Sequence, residues 1–166
     1  MYRDEVGWTI HRKRAWMAVI CGGHYDYIDF SIQVGLEAGT EESRRKIRSW
    51  MKDLSEFIHS FDFIHARSEP TWIEAKPAHL VDATLSIPGS DYVAYLADGR
   101  ELSDATAGQP ISGPVAFRLP EGNYRVCLYS PATGGYSPCA QVRGGGRATF
   151  DLAPFEQDIA LRVKRV

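Results

Sequence analysis

The stretch Pro70-Thr71-Trp72-Ile73-Glu74-Ala75-Lys76-Pro77 marks the point at which the periodicity of the sequence changes. Before it, apolar residues recur at steps of three and four, which is typical of amphipathic helices. After it, apolar and polar residues alternate between turn residues, which is typical of strands with one buried face. Because a proline disfavours helical backbone in the residue before it, the stretch itself is expected to be extended. The two periods predict an α+β fold, in which a helical segment precedes an antiparallel β-sandwich.

Two helices are predicted before this stretch. The longer one covers about 41–61, with Thr40 as its N-cap and two glutamates in its first turn, where negative charge is favourable. The shorter one covers about 10–21 and ends at Gly22-Gly23, a pair that can adopt the left-handed backbone of a helix C-terminus. The core is expected to include Trp16 and Trp50. The longer helix carries an apolar stripe formed by Ile47, Trp50, Met51, Leu54, Phe57, Ile58 and Phe61.

After Pro77 the sequence predicts about seven or eight short strands separated by turns. One turn signal is Asp98-Gly99, which closes the apolar run from Tyr92 to Ala97. Alternating residues in 115–119 and 124–128 flank Pro-Glu-Gly-Asn, and these two strands are expected to form a hairpin.

The change of period also predicts the domain organisation. We expect a helical segment over 1–68, a linker over 69–77 and a sandwich over 78–166. Two helices alone hide too little surface to close a core. The helical stripe should therefore need a neighbour, and if it were left exposed it would favour self-association.

Composition excludes several classes of protein. The chain has 166 residues with 19 basic and 21 acidic side chains, a formal net charge of −2, so we expect no nucleic acid partner. The sequence contains no apolar run of the length that a membrane span requires, and we expect no membrane partner. The histidines and cysteines are scattered without metal-binding spacing, so neither a metal nor an organic cofactor is expected. Cys127 and Cys139 could pair if they lay on neighbouring strands, but we expect Cys21, Cys127 and Cys139 to be buried free thiols.

Two parts of the sequence resemble a known family. The run over 12–31, which begins Arg12-Lys-Arg-Ala-Trp16 and continues through Cys21-Gly-Gly-His-Tyr-Asp26, resembles the closing segment of (β/α)8-barrel glycoside hydrolases, many of them bacterial. The stretches over 91–96, 119–126, 130–135 and 150–152 are similar to the sandwich that follows such barrels, a module named as the collagen-binding domain of a collagenase. The resemblance implies a carbohydrate partner for the whole protein. A barrel of this kind needs roughly 250 residues, so only its last units could precede the sandwich here.

The resemblance also implies site residues. Retaining glycosidases use two carboxyl groups roughly 5 Å apart, one as acid/base and one as nucleophile. If 1–7 corresponds to the exit of the seventh barrel strand, Glu5 stands where the nucleophile would be, and the strand carrying the second carboxyl group is absent. The alternative is a solvated glutamate near a chain terminus.

Four residues of the loop over 23–39 could line a sugar cleft, because aromatic rings stack on pyranose faces and carboxylates accept hydroxyl hydrogens. They are His24, Tyr25, Asp26 and Asp29. The alternative is that the aromatic residues pack the loop onto the helices and the aspartates cap turns. On the sandwich, Tyr129 and Tyr136 are candidates for an exposed binding surface, and the alternative for both is cross-strand packing.

Three functions are compatible with these features. The first is the C-terminal part of a glycoside hydrolase-like protein, whose accessory sandwich supports the barrel and which is not catalytic alone. The second is a module that binds carbohydrate or a matrix protein such as collagen. The third is a purely structural domain.

Overall fold

A computed structural model of the chain describes residues 5–26, 40–100 and 104–166. It contains two helices followed by ten strands, which confirms the α+β class. The helices are α1 (Glu5–Ile20) and α2 (Glu41–His59). The strands are β1 (Arg67–Ser68), β2 (Ile73–Ala75), β3 (Leu80–Ile87), β4 (Asp91–Asp98), β5 (Ile111–Leu119), β6 (Asn123–Ser130), β7 (Gly135–Tyr136), β8 (Ala140–Arg143), β9 (Gly146–Phe155) and β10 (Asp158–Arg165).

The strands form two antiparallel sheets that pack face to face. The larger has the order β1-β3-β4-β10-β6-β7, with β8 also paired to β6, and the smaller has the order β2-β5-β9. Apolar side chains from both sheets form the core between them, with Phe117, Tyr124 and Leu161 among the most deeply buried. This arrangement confirms the predicted sandwich and adds to it two short strands, β1 at an edge of the larger sheet and β2 at an edge of the smaller.

Strand β4 lies at the centre of the molecule, and all eight of its residues are buried. Tyr92, Ala94 and Leu96 point into the core between the sheets. Val93, Tyr95 and Ala97 point the opposite way and join a second core with the helices. A strand covered on both faces has a continuous apolar run rather than an alternating one, which explains the sequence from Tyr92 to Ala97. The larger sheet is therefore the middle layer of three: helices, larger sheet, smaller sheet.

The hairpin predicted from 115–119 and 124–128 is wrong. Strand β5 pairs with β2 and β9 in the smaller sheet, whereas β6 pairs with β7, β8 and β10 in the larger one. The turn over 120–122 therefore carries the chain from one sheet to the other. The alternating residues of both strands face the same core, so a period of two does not distinguish a hairpin from a crossing between packed sheets.

Helix α2 matches its prediction closely. The Thr40 hydroxyl accepts a hydrogen bond from the Ser43 backbone N–H at 3.1 Å, and the Ser43 hydroxyl accepts one from the Thr40 N–H at 3.0 Å. This reciprocal capping fixes the start of the helix. Helix α1 begins five residues earlier than expected. Its end is as predicted, because Gly22 has the left-handed φ of 86° that the C-terminal turn requires.

The apolar stripe of α2 is buried against the rest of the molecule. Leu54, Phe57 and Phe61 belong to the core that α1 shares with β3, β4, β6 and β10, and Ile47 and Trp50 pack with Trp8 of α1. Trp16 and Trp50 are 0% and 1% exposed, which confirms both as core residues. The expectation that the stripe needs a neighbour is met within this chain, because the larger sheet and α1 cover its buried residues. Self-association stays a prediction, but the stripe no longer supports it.

The segment between the helices and the sandwich contributes to both sheets. Strand β1 pairs with β3 and strand β2 pairs with β5. The Trp72 ring stacks on Tyr92 with centroids 4.9 Å apart, and its indole N–H donates to the Arg118 carbonyl at 2.9 Å. The division into 1–68, 69–77 and 78–166 stays a prediction.

The expectation of three buried free thiols is wrong. Cys127 on β6 and Cys139 just before β8 form a disulfide, with an S–S distance of 2.01 Å and Cα atoms 4.4 Å apart. Strands β6 and β8 are adjacent, which brings the two Cα atoms within the range that a disulfide requires. Cys21 is free but exposed.

Neither α1 nor α2 is long and apolar enough to cross a membrane. Within 5–26, 40–100 and 104–166, no three side chains of the metal-binding types come together.

Candidate functional site

A buried ion cluster joins α1 to the larger sheet. The Arg12 guanidinium donates from Nε and Nη2 to the two carboxylate oxygens of Asp158, at 2.9 and 2.8 Å. The Tyr95 hydroxyl donates to the same carboxylate at 2.8 Å. The Asp158 side chain is fully buried and Arg12 is 3% exposed. The guanidinium carbon also lies 4.3 Å from the centroid of the Trp50 ring, so one arginine contacts both helices and the sheet.

A second ionic group lies near the same end of the sheet. The Lys13 ammonium donates to the Asp98 carbonyl at 2.9 Å, and burial lowers the pKa of Lys13 despite the attraction of Asp98 and Asp158. Burial would raise the pKa of Asp98, but hydrogen bonds from the Arg100 side chain and from backbone N–H groups outweigh it and hold that pKa at about 2. The carboxylates of Asp98 and Asp158 are each held by fixed hydrogen-bond partners, as buried polar groups in proteins usually are.

Arg162 on β10 holds the end of α2. Its guanidinium donates to both oxygens of Asp91 at 3.2 and 2.8 Å, and to the hydroxyl and carbonyl of Ser60 at 2.6 and 2.8 Å. Ser60 is the C-cap of α2, where a positive charge is favourable because the helix dipole is negative there. The helix layer is thus held by one arginine from α1 and by one from the sheet.

The structure places Glu5 at the opposite end of α1 from His24, Tyr25 and Asp26. Glu5 is the first residue of α1, so it begins a helix and does not end a strand. Asp29 lies outside the described residues. His24 and Asp26 are exposed after the end of α1, and Tyr25 is half-buried against the helix-sheet core. Whether these residues bind sugar stays a prediction.

His24 and Tyr25 line a groove that we call the helix-end groove, which lies between the C-terminal ends of the two helices. It has a volume of about 700 Å³ and a mostly apolar lining. The lining residues are Val19, Gly23, His24, Tyr25, Met51, Leu54, Ser55, Ile58, His59, Phe61, Asp62, Phe63 and Ile64.

The polar groups of the helix-end groove do not form a catalytic set. Ser55 contacts the His59 ring at 3.3 Å along the helix, and Asp62 contacts His65 at 2.7 Å instead of His59. A nucleophile activated by histidine needs the base to be oriented by a third group, and the nearby carboxylate is directed elsewhere. The groove is therefore suited to contact with an apolar surface.

The two tyrosines proposed for the sandwich surface have different environments. Tyr129 is 5% exposed and packs against Trp16 and Phe57, so the expectation that it is exposed is wrong. Burial raises the pKa of Tyr129 to about 12. Tyr136 is 50% exposed, which confirms its place on the surface. The two rings are cross-strand partners with centroids 4.9 Å apart, as the packing alternative expected.

Tyr136 borders a smaller depression of about 480 Å³, which we call the Tyr136 surface. It is lined by Ser60, Arg125, Cys127, Tyr136, Cys139, Arg162 and Lys164. The three cations were not predicted from the sequence. Their outward positions follow from the alternation of β6 and β10, but their proximity depends on the register between these strands, which the sequence does not reveal.

No protein-family model and no curated protein matches the sequence of this chain. Several solved structures share its fold, among them the following two. One, described as a glycoside hydrolase, superposes on 95% of this chain with a TM-score of 0.69 and 14% sequence identity. The other, a glycoside hydrolase family 5 protein from Bacteroides vulgatus, superposes on 95% of this chain with a TM-score of 0.67 and 13% identity.

This chain spans 37% and 36% of the lengths of those two proteins. At such low identity the likeness shows the fold alone. The arrangement of two helices on a sandwich is thus one that also occurs as about a third of a glycoside hydrolase chain.

Proposed function

We propose that this chain is the C-terminal part of a glycoside hydrolase-like protein, in which the helices and the sandwich together support a catalytic barrel. The observation that carries the proposal is the attachment of α1 and α2 to the sheet through a buried ion pair and a shared core. A helix pair held in this way is a rigid platform whose other side can contact a further domain. The fold likeness to part of two glycoside hydrolases supports the same function.

The helix-end groove is the surface proposed for that contact. Ile64 at its edge is 89% exposed and the lining is mostly apolar, and exposed apolar surface of this kind is typical of contacts between domains. A neighbouring domain that covered the groove would bury this lining.

The proposal includes the absence of glycosidase activity from this chain alone. Cleavage of a glycosidic bond needs an acid and a second carboxylate on opposite sides of the scissile bond. The family resemblance assigns Glu5 to one of these roles, and Glu5 is placed at the start of a helix and not at a strand end. The resemblance assigns no residue of this chain to the other role.

An assay with a panel of aryl glycosides tests this prediction. The chain is expected to release no aglycone above the rate of a buffer blank, and Glu5→Gln is expected to leave that result unchanged. A turnover rate that falls at least about tenfold in Glu5→Gln would contradict the supporting role. Such a fall would mean that Glu5 stabilises the transition state of a reaction catalysed by this chain, by about 1.4 kcal/mol or more.

A second candidate function is carbohydrate binding by the sandwich, and one observation favours it. Tyr136 presents half of its ring to solvent in a depression with several hydrogen-bond donors. An exposed aromatic ring with polar groups beside it suits the apolar face and the hydroxyl groups of a sugar. The residues that line this depression have no feature that favours collagen over a sugar as the ligand.

A further inference from the structure

Two cations lie opposite each other on adjacent strands of the larger sheet. Arg125 on β6 and Lys164 on β10 are cross-strand partners, and both side chains are exposed on the face that carries the Tyr136 surface. Directly opposed residues have Cβ atoms about 4.5–5.5 Å apart, and like charges in this position are unfavourable. This pair therefore weakens the sheet unless an anion lies between or beside the two charges.

No carboxylate of the described chain neutralises this pair. Asp91 is the cross-strand partner of Lys164 on its other side, but both of its oxygens accept hydrogen bonds from Arg162. Within the described ranges, neither Arg125 nor Lys164 has an ion-pair partner, and no acidic side chain lines the Tyr136 surface. The surface therefore has two uncompensated positive charges beside one compensated arginine.

The Tyr136 ring is held in place beside these charges. It lies edge-on to Tyr129 at 4.9 Å and is stacked with Phe57 at 6.3 Å between centroids. Its hydroxyl accepts a hydrogen bond from Arg162 at 3.4 Å. Because these neighbours belong to the core between the helices and the sheet, the half-exposed ring loses little conformational freedom when a ligand stacks on it.

We propose that the Tyr136 surface binds an acidic glycan, a polysaccharide segment whose sugars carry carboxylate groups. A uronate residue supplies both features that the surface can recognise: an apolar pyranose face for the Tyr136 ring and a carboxylate for Arg125 and Lys164. The guanidinium of Arg125 can bind a carboxylate in a bidentate manner, whereas that of Arg162 is occupied by Asp91. This inference rests on the second candidate function and is independent of the supporting role.

The experiment uses the full chain and two forms of one ligand. Polygalacturonate oligosaccharides carry free carboxylates, and the same oligosaccharides after methyl esterification keep the sugar rings without the charges. Calorimetric titration at low salt is expected to detect saturable binding of the acid form alone. Raising the ionic strength to about 0.2 M is expected to weaken that binding, because exposed charges are screened over about 8–10 Å under these conditions.

Three variants identify the surface. Arg125→Glu and Tyr136→Ala are each expected to weaken binding about tenfold or more. Arg48→Glu makes the same charge reversal at an exposed position of α2 that does not line the Tyr136 surface, and is expected to leave binding unchanged. The melting temperature of each variant is measured to check that it is folded. Arg125→Glu should raise it slightly, because it places opposite charges across β6 and β10, so a loss of binding cannot be attributed to unfolding.

Each remaining outcome has a defined meaning. Equal binding of the acid and esterified oligosaccharides would overturn the acidic specificity and leave carbohydrate binding intact. An equal loss of binding in Arg48→Glu would overturn the assigned location, because it would reveal attraction to net charge alone. Absence of saturable binding of either oligosaccharide would overturn the acidic-glycan proposal, whether or not the chain is retained on collagen.

Discussion

Replacing Asp158 with alanine is expected to destabilise the protein by about 3–5 kcal/mol. The substitution removes the carboxylate that accepts two hydrogen bonds from Arg12 and one from the Tyr95 hydroxyl. Arg12 would then keep its charge in a site where its side chain is 3% exposed. An unpaired buried charge costs far more than a lost surface ion pair, which is worth about 0–1 kcal/mol. Chemical denaturation, monitored by circular dichroism, measures the change.

The matched control removes all the polar groups of the cluster together. In the triple variant Arg12→Met, Tyr95→Phe and Asp158→Leu, no buried charge or hydroxyl is left without a partner. We expect this variant to recover most of the stability lost in Asp158→Ala, because apolar replacement of a whole buried ion pair is often neutral. A loss below about 1 kcal/mol in Asp158→Ala would be incompatible with a buried, fixed ion pair between α1 and the sheet.

Replacing Trp16 with alanine is expected to cost about 3–5 kcal/mol as well. Trp16 is 0% exposed at the centre of the core between the helices and the sheet. Its ring is stacked with Tyr95 at 5.5 Å and lies 4.8 Å from Phe57 and 5.6 Å from Tyr129. Removing it opens a cavity that borders α1, α2 and the larger sheet. The circular dichroism signals of the helices and of the sheet are therefore expected to be lost together, in one transition at a lower denaturant concentration than in the original protein.

Trp16→Phe provides the control for this variant. It keeps an aromatic ring in the cluster, and the indole N–H that it removes has no hydrogen-bond partner among the described residues. The phenylalanine variant should therefore lose much less stability than the alanine variant. If Trp16→Ala lost less than about 1 kcal/mol, or melted the helices while the sandwich stayed intact, the shared core would not exist as described.

The parts of the fold that depend on local pattern could be predicted from the sequence. The stripe and N-cap of α2 fixed its start at Glu41, and Gly22 marked the end of α1. The earlier start of α1 had no such signal, because its first turns include Gly7 and Thr9, which are poor helix formers. Trp8 explains their helical state: it is buried against Ile47 and Trp50, a tertiary contact that outweighs local propensity.

The features that depend on long-range pairing could not be predicted. Alternation identified β5 and β6 as strands but did not reveal that they belong to opposite sheets. The disulfide could not be predicted for the same reason, because it depends on the pairing of β6, which carries Cys127, with β8, which follows Cys139. Arg12 and Asp158 are separated by 146 positions, and nothing local in either residue indicates that they pair.

The candidate sites were predicted only in part. His24 and Tyr25, proposed from the aromatic loop after α1 as residues of a sugar cleft, both line the helix-end groove, and their binding of sugar stays a prediction. Tyr136 was a candidate for an exposed surface of the sandwich, and its side chain is half exposed. Arg125 and Lys164 were missed because a single cation on a strand is ordinary, and only the register of β6 and β10 makes the two opposite.

Native-state hydrogen exchange of the full chain tests the central claim, that the helices and the sandwich form one cooperative unit. The measurement compares the slowest amides of α2 with those of β4 in the original protein and in Asp158→Ala. We predict a common opening free energy for the two elements, lowered equally in both by the substitution, since one core joins them. If α2 exchanged through a separate opening of much lower free energy, with β4 protection unaffected by the substitution, the integrated three-layer structure would be contradicted.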